Sequence, residues 1–277
     1  MANATRTVLF ACLCMTAACT RAHNNELITE SFSHMNQTQT NRCETTDKNG
    51  TPVILEWFKT TFLDPSFAHA MKQAWEVARP AYVPVEMQFL KAFPEVVGTE
   101  PYFKAFEPLF STGIEYVDWA AAEVIMTNIL KGHFVFDPTT FGEAMIKAYG
   151  QDSCTMVTAK DKMSGALLGF ASFMARATYP AHTVKVMALS VAPEQQKRGL
   201  GKILMSSIFR LLPETTNLFL CTRVTNSTAL AAYKAWGFEY EANPIMDHAF
   251  KLDHWTFLSY NPAKTNTLQK TAATLKA

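Results

Sequence analysis

The sequence lacks a surplus of charge of either sign: 25 Lys and Arg stand against 24 Asp and Glu, a formal net charge of +1 in 277 residues. That excludes a chain-wide electrostatic footprint for nucleic acid, so any anion must be bound locally. It also lacks an apolar run of the about 20 residues that a membrane-spanning helix needs; the run from Val8 to Ala18 is too short. Cysteine is scarce. Of six, Cys12, Cys14 and Cys19 crowd the first residues, and the remaining Cys43, Cys154 and Cys221 are odd in number and far apart. Neither a disulfide framework nor a metal-ligand spacing follows, and Cys154 and Cys221 read as packing residues in apolar strand-like runs. The dinucleotide fingerprint Gly-x-Gly-x-x-Gly and the Walker pattern are missing too.

What is present is enough apolar side chain, 48% of the residues, to bury one core of ordinary size. Residues 1–22 have the layout of a secretory leader: Arg6, a short apolar core, small residues and Cys19. "TAAC" also loosely resembles a bacterial lipidation box, with Thr16 in the place of the usual Leu. A cleaved leader predicts export, and a lipidated one predicts membrane association; a retained apolar N-terminus predicts a cytoplasmic protein. Residues 23–50 are polar and aperiodic and read as a flexible linker. A single domain is expected over 51–262, with a helical part at 51–150 and a strand-rich core at 151–262, followed by a polar tail at 263–277.

In the helical part, "VILEWF" reads as a strand. A helix is expected from the cap Asp64 and Pro65 up to Pro80, with a short one over "PVEMQFLKAFPE". Further helices are expected over "IEYVDWAAAEVIMTNILKG", closed by Gly132, and over residues 137–150. The core begins with the strands "SCTMVTAKD" and "GALLGFASFMARA", joined by a hairpin turn at Lys162 to Gly165. "HTVKVMALSVAP" follows, then a helix over "GKILMSSIFRLLP", the strand "NLFLCTRVT", a helix over "NSTALAAYKAWGF", and the strand "FKLDHWTFLSYN". A hairpin run joined to strand–helix–strand units implies an α/β (α+β) fold: a mixed, mostly antiparallel sheet with helices on both faces.

Between the third strand and its helix lie Gln196, Lys197, Arg198, Gly199, Leu200, Gly201 and Lys202. Two glycines let the backbone wrap an anion, and the first N–H groups of a helix have no partner within it. Such a turn makes a phosphate cradle. In the next helix Asn226 and Tyr233 are seven residues apart, so they share a face, separated by about 10 Å along the axis. One extended ligand can touch both.

"LSVAPEQQKRGLGKILM" followed by "NSTALAAYKAWGFEY" resembles the GNAT superfamily of acyl-coenzyme-A-dependent N-acyltransferases. The first stretch matches its Gln/Arg-x-x-Gly-x-Gly/Ala diphosphate loop, and the second its Asn-x-x-Ala-x-x-x-Tyr-x-x-x-Gly-Phe helix. The match is close from about Cys154 to Tyr260 and weak over Pro52 to Gly150, where this chain carries more helix. The resemblance implies acetyl-CoA as acyl donor, no metal, and an amine of a small molecule or protein as acceptor. It implies that the backbone of Leu189, Ser190 and Val191 pairs with the pantetheine arm, that the amides of Gln196 to Lys202 hold the diphosphate, and that Asn226 bonds the pantetheine. Tyr233 is then the general acid for the leaving thiolate.

The base is less defined. Many relatives carry an acid on the strand before the loop, where this chain has Lys185, read as a solvated strand residue. His182 is the nearest titratable candidate; Glu115, Asp118, Glu123 or a water chain are the alternatives. Met163, Met174 and Met187 read as core. A non-catalytic acyl-CoA-binding module, with the helical half as an interaction surface, is the competing expectation, and homodimerisation stays open.

Overall fold

The computed structural model describes residues 41–61, 65–132, 153–175, 180–241 and 254–275. The expected leader, residues 23–40 of the expected linker, the expected helix at 137–150 and the loop from Ala242 to Asp253 lie outside them.

Among the described residues eight strands form one open sheet in the order β1-β2-β3-β4-β5-β6-β8-β7. They are β1 (Asn41–Thr46), β2 (Pro52–Thr61), β3 (Ser153–Asp161), β4 (Leu167–Ala175), β5 (Thr183–Val191), β6 (Asn217–Arg223), β7 (Glu239–Tyr240) and β8 (Trp255–Tyr260). Every neighbouring pair is antiparallel except β5 and β6, which run parallel. Residues alternate between two cores, as the pleat requires. Met156, Phe170 and Met174 face one core, while Val157, Ala171 and Phe173 face the other. The first core is closed by α1 (Pro65–Ala92) and α2 (Trp119–Gly132), joined by the Trp75 indole, which donates to the Leu130 carbonyl at 2.9 Å. The second is closed by α3 (Leu200–Ser206), α4 (Ile208–Leu211), α5 (Ser227–Trp236) and α6 (Thr267–Ala272). The fold is thus the expected mixed, mostly antiparallel sheet with helices on both faces and an enlarged helical N-terminal part.

Four expectations are corrected. The linker does not reach residue 50: β1 pairs with β2 from Asn41 to Thr46 and buries Cys43. Its six residues are too few and too polar for a period to register. The tail is not loose either. Leu268, Ala272 and Leu275, spaced four and three apart, are buried on one side of α6 and the turn after it, and the Tyr260 hydroxyl accepts from the Leu268 amide at 3.1 Å. Burying Leu268 alone is worth about 1.5–3 kcal/mol. The helix expected to stop before Pro80 runs on to Ala92, with Pro80 and Pro84 inside it. Both prolines are exposed and four apart, so the carbonyls that lose a partner face water, while Ala78, Val83, Met87, Phe89 and Leu90 bury the opposite face. Lastly, Met163 is no core residue; it lies at the tip of the β3–β4 turn and is 86% exposed.

Candidate active site

The sheet splits at one place. β5 pairs with β6 only through Thr183, Val184 and Lys185, opposite Asn217, Leu218 and Phe219. Beyond that point β5 follows β4 to Val191, and β6 follows β8 to Arg223. Among the described residues the β5 edge from Val186 to Val191, which includes Leu189 and Ser190, therefore has no strand opposite it. Such an edge is a template for an extended ligand. A register shift on β4 between Ser172 and Phe173 leaves Met187 unpaired where the strands part, and bulges of this kind increase local twist.

The Gln196–Lys202 turn follows this edge directly. After a single 3-10 turn (Pro193–Gln195), Lys197 has φ of 63° and Gly199 φ of 82°. Among the described residues the N–H groups of Lys197 to Lys202 carry no hydrogen bond; the first one donated back into the helix is from Ile203 to Gly199 at 3.1 Å. Gln196 donates its side-chain amide to the Val191 carbonyl at 3.3 Å. A Cβ on Gly201 would lie 3.3 Å from the Trp236 ring, so the glycine lets α3 approach the end of α5. Lys197 is exposed and Lys202 half-buried. Arg198 is not a free cation. Its Nε donates to Asp47 at 2.5 Å, and an Nη donates to Gln195.

Helix α5 brings the second motif to the same opening. Asn226 caps it, accepting from the Ala229 amide at 3.3 Å and donating to Thr222 at 3.1 Å; Gly237 closes it at φ of 99°. Tyr233 is buried against Trp236 and Phe238, with ring centroids at 5.6 and 5.5 Å. Its hydroxyl has no hydrogen-bond partner among the described residues. Burial, with a smaller contribution from the nearby Cys221 thiol, pushes the phenol well above its ordinary value. Tyr233 belongs to the core under α3 and α5, whereas Cys221 packs with Phe219, Phe257 and Trp255 on the other face. The Trp236 ring that Tyr233 packs against also lies beside Gly201, which sets this end of α5 next to the amide-rich turn. Burial raises the Cys221 thiol as well, and Lys185 and Arg223 partly offset this.

On that other face the sequence reading missed most of the polar groups. Lys185 is 3% exposed, so it is not a solvated strand residue. Arg223 is equally buried and donates to Glu86 of α1 at 3.3 and 3.4 Å. Its guanidinium lies 3.9 Å from the Phe89 ring centroid and 4.3 Å from that of Trp255. Glu100 lies 3.8 Å from Arg223 and 2.9 Å from His254 Nδ1. The Arg223 Nη1 is buried without a hydrogen-bond partner among the described residues. Lone charges in apolar runs, Glu86 in "VEMQFL" and Arg223 in "LFLCTR", are the only sequence signal for such a cluster, and it does not say which charge meets which.

His182 is not brought to this site. It is exposed, at φ of 59°, just before the paired end of β5, and roughly 23 Å of extended chain separate it from Leu189. Glu115, Asp118 and Glu123 are exposed as well; Asp118 accepts from the Ala120 and Ala121 amides at the start of α2. We therefore expect His182→Ala to keep the wild-type kcat/KM and pH profile in a thiol-release assay. A lost acidic limb would restore His182 as the base.

The sheet thus parts between parallel β5 and β6, an amide-rich turn follows the end of β5, and a buried tyrosine lies on the helix next to that turn. Residues 124–238 match the family described as Acetyltransferase (GNAT) family, and this stretch is a GNAT acetyltransferase domain. No match to a curated protein was found. Among solved structures the chain is similar to a nourseothricin acetyltransferase at 23% identity, over 39% of this chain and 65% of that one, with a TM-score of 0.32. It is also similar to the PaiA N-acetyltransferase of Thermoplasma acidophilum in complex with coenzyme A, at 13% identity over 75% of this chain and 98% of that one, TM-score 0.42. A third is the ribosomal-protein-S18-alanine N-acetyltransferase of Escherichia coli, at 18% identity over 38% and 67%, TM-score 0.30. The chain thus spans about two thirds of the first and third of these proteins.

Proposed function

We propose that this chain is an N-acetyltransferase that moves the acetyl group of acetyl-CoA to a primary amine by direct attack. The observation that carries this reading is a coincidence of three features among the described residues: six consecutive unbonded amides, a β5 edge with no strand opposite it, and, on the helix next to that turn, a tyrosine hydroxyl with no hydrogen-bond partner.

The residues present fit such a donor. The amides from Lys197 to Lys202 take the diphosphate, with Lys197 and Lys202 supplying positive charge; the Gln196 amide is spent on the Pro193 carbonyl at 3.3 Å. Leu189, Ser190 and Val191 pair with the pantetheine arm, and Asn226 keeps one N–H of its side-chain amide for it. Acetyl-CoA, when bound, supplies the activated acyl group. The strand amide near Leu189 is a donor for the acyl oxygen. Tyr233 holds a proton at its hydroxyl for a leaving thiolate. The amine enters from the opposite face, past Lys185 and Cys221, and must arrive neutral.

The test has two parts: calorimetric titration with coenzyme A, then a thiol-release screen of acetyl-CoA against polyamines, aminoglycosides, amino acids and peptide N-termini. Saturable binding with turnover on one of these classes is expected. Binding without turnover on any would instead support a non-catalytic acyl-CoA-binding module, and no binding would end both readings.

A further inference from the structure

The turn that carries the unbonded amides is held from outside, by the first strand pair. Asp47 stands at the β1–β2 turn with its side chain fully buried. One carboxylate oxygen accepts from the Asn49 and Thr51 amides, both at 2.9 Å. The other accepts from Arg198 Nε at 2.5 Å. The next residue, Lys48, donates its amide to the Arg198 carbonyl at 3.1 Å. Arg198 is thus gripped at both its main chain and its side chain by two successive residues. On either side of it, Lys197 and Gly199 are in the left-handed region. For Gly199 this is free of steric penalty; for Lys197, which has a Cβ, it is unfavourable and persists only where the surroundings enforce it.

We propose that Asp47 is a positioning residue for the diphosphate turn, setting the turn's conformation through Arg198, and that Arg198 is a strut rather than a phosphate ligand. This rests on the reading that the turn binds coenzyme A. Arg198's charge is already balanced by a buried carboxylate, which leaves Lys197 and Lys202 to meet phosphate. The carboxylate is ionised in the working pH range. Burial alone would raise its pKa, but the hydrogen bonds from Arg198, Thr51 and Asn49, with the charge of Arg198, outweigh this and hold it below the ordinary carboxylate value. An asparagine has one oxygen and one NH2 group, so it can serve either Arg198 or the turn amides but not both.

The experiment compares two acyl donors, acetyl-CoA and acetyl-pantetheine, which has no diphosphate, on the full chain. Asp47→Asn is expected to raise the KM for acetyl-CoA about ten- to a hundred-fold with little change in kcat, and to leave kcat/KM for acetyl-pantetheine as in the wild type. A general loosening of the fold would lower both donors alike, and no change with either would also overturn the proposal. Arg198→Gln separates strut from ligand: the double variant with Asp47→Asn should be no worse than either single one. If Arg198→Gln weakens acetyl-CoA and Asp47→Asn does not, Arg198 binds phosphate directly and the proposal falls. Should Asp47→Asn not fold, Asp47→Ser decides by the same criterion. Its hydroxyl still accepts from the turn amides but is too short for Arg198. A wild type that does not bind coenzyme A at all would refute the proposed function itself, before any variant is made.

Discussion

Tyr233→Phe lowers kcat by about 10²–10⁴-fold, the range that one positioned general acid supplies, and leaves the Kd for coenzyme A unchanged. The hydroxyl adds no packing that Phe lacks. The ring stays wedged against Trp236 and Phe238, and the hydroxyl bonds to nothing that its removal would orphan. The sign of the pH dependence follows from burial. Desolvation disfavours the phenolate, so Tyr233 keeps its proton beyond the ordinary phenol value of about 10. No descending limb from this group should appear in the pH–rate profile below about pH 10. The ascending limb should instead follow the neutral fraction of the acceptor amine. Desolvation that raises the phenol would raise a thiol brought beside it as well, because burial disfavours both anions. Stopped-flow thiol release alongside calorimetry would check this; a Phe variant with wild-type kcat would remove Tyr233 from the chemistry.

Glu86→Ala destabilises the fold by about 3–5 kcal/mol, the usual cost of leaving one partner of a buried ion pair unpaired. Glu86 and Arg223 are each 3% exposed. Among the described residues, removing the carboxylate leaves Glu100 at 3.8 Å as the one carboxylate near Arg223, whose Nη1 already lacks a hydrogen-bond partner. The effect should reach the site as well as stability. Glu86 comes from α1, which packs on β4 and β5, and Arg223 ends β6, so the pair ties together the two arms of the sheet that separate beyond Lys185. Urea unfolding of Glu86→Ala would measure the loss. Replacing both partners, as Glu86→Gln with Arg223→Met, should recover much of it, because the intact pair also carries a large desolvation cost. A loss below about 1 kcal/mol for the single variant would mean that water reaches the pair and screens it.

Much of the fold was legible because its signals are local. The six strands from Val53 to Tyr260 that alternate or run apolar, the hairpin turn after Asp161, and the cap residues Asn226 and Gly237 all act within a few residues of themselves. The expectations that failed were those in which burial overrode a local rule. Pro80 and Pro84 are helix breakers by their covalent structure, yet they sit on a water-facing side that tolerates the broken bonds. β1 and α6 are short, and their apolar residues are too few to stand out from polar surroundings.

By itself the sequence determined the order of elements, the amide-rich turn from Gln196 to Lys202, and the spacing that puts Asn226 and Tyr233 on one side of a helix. These depend on chain geometry over a dozen residues at most. Only the tertiary structure decided that β5 and β6 part after Lys185, that Arg198 is consumed by Asp47, 151 residues away, that His182 stands at the closed end, and that Glu86 meets Arg223. Each of these is a pairing between distant segments. Which charge neutralises which is settled when packing removes water from both, and no local pattern encodes that choice.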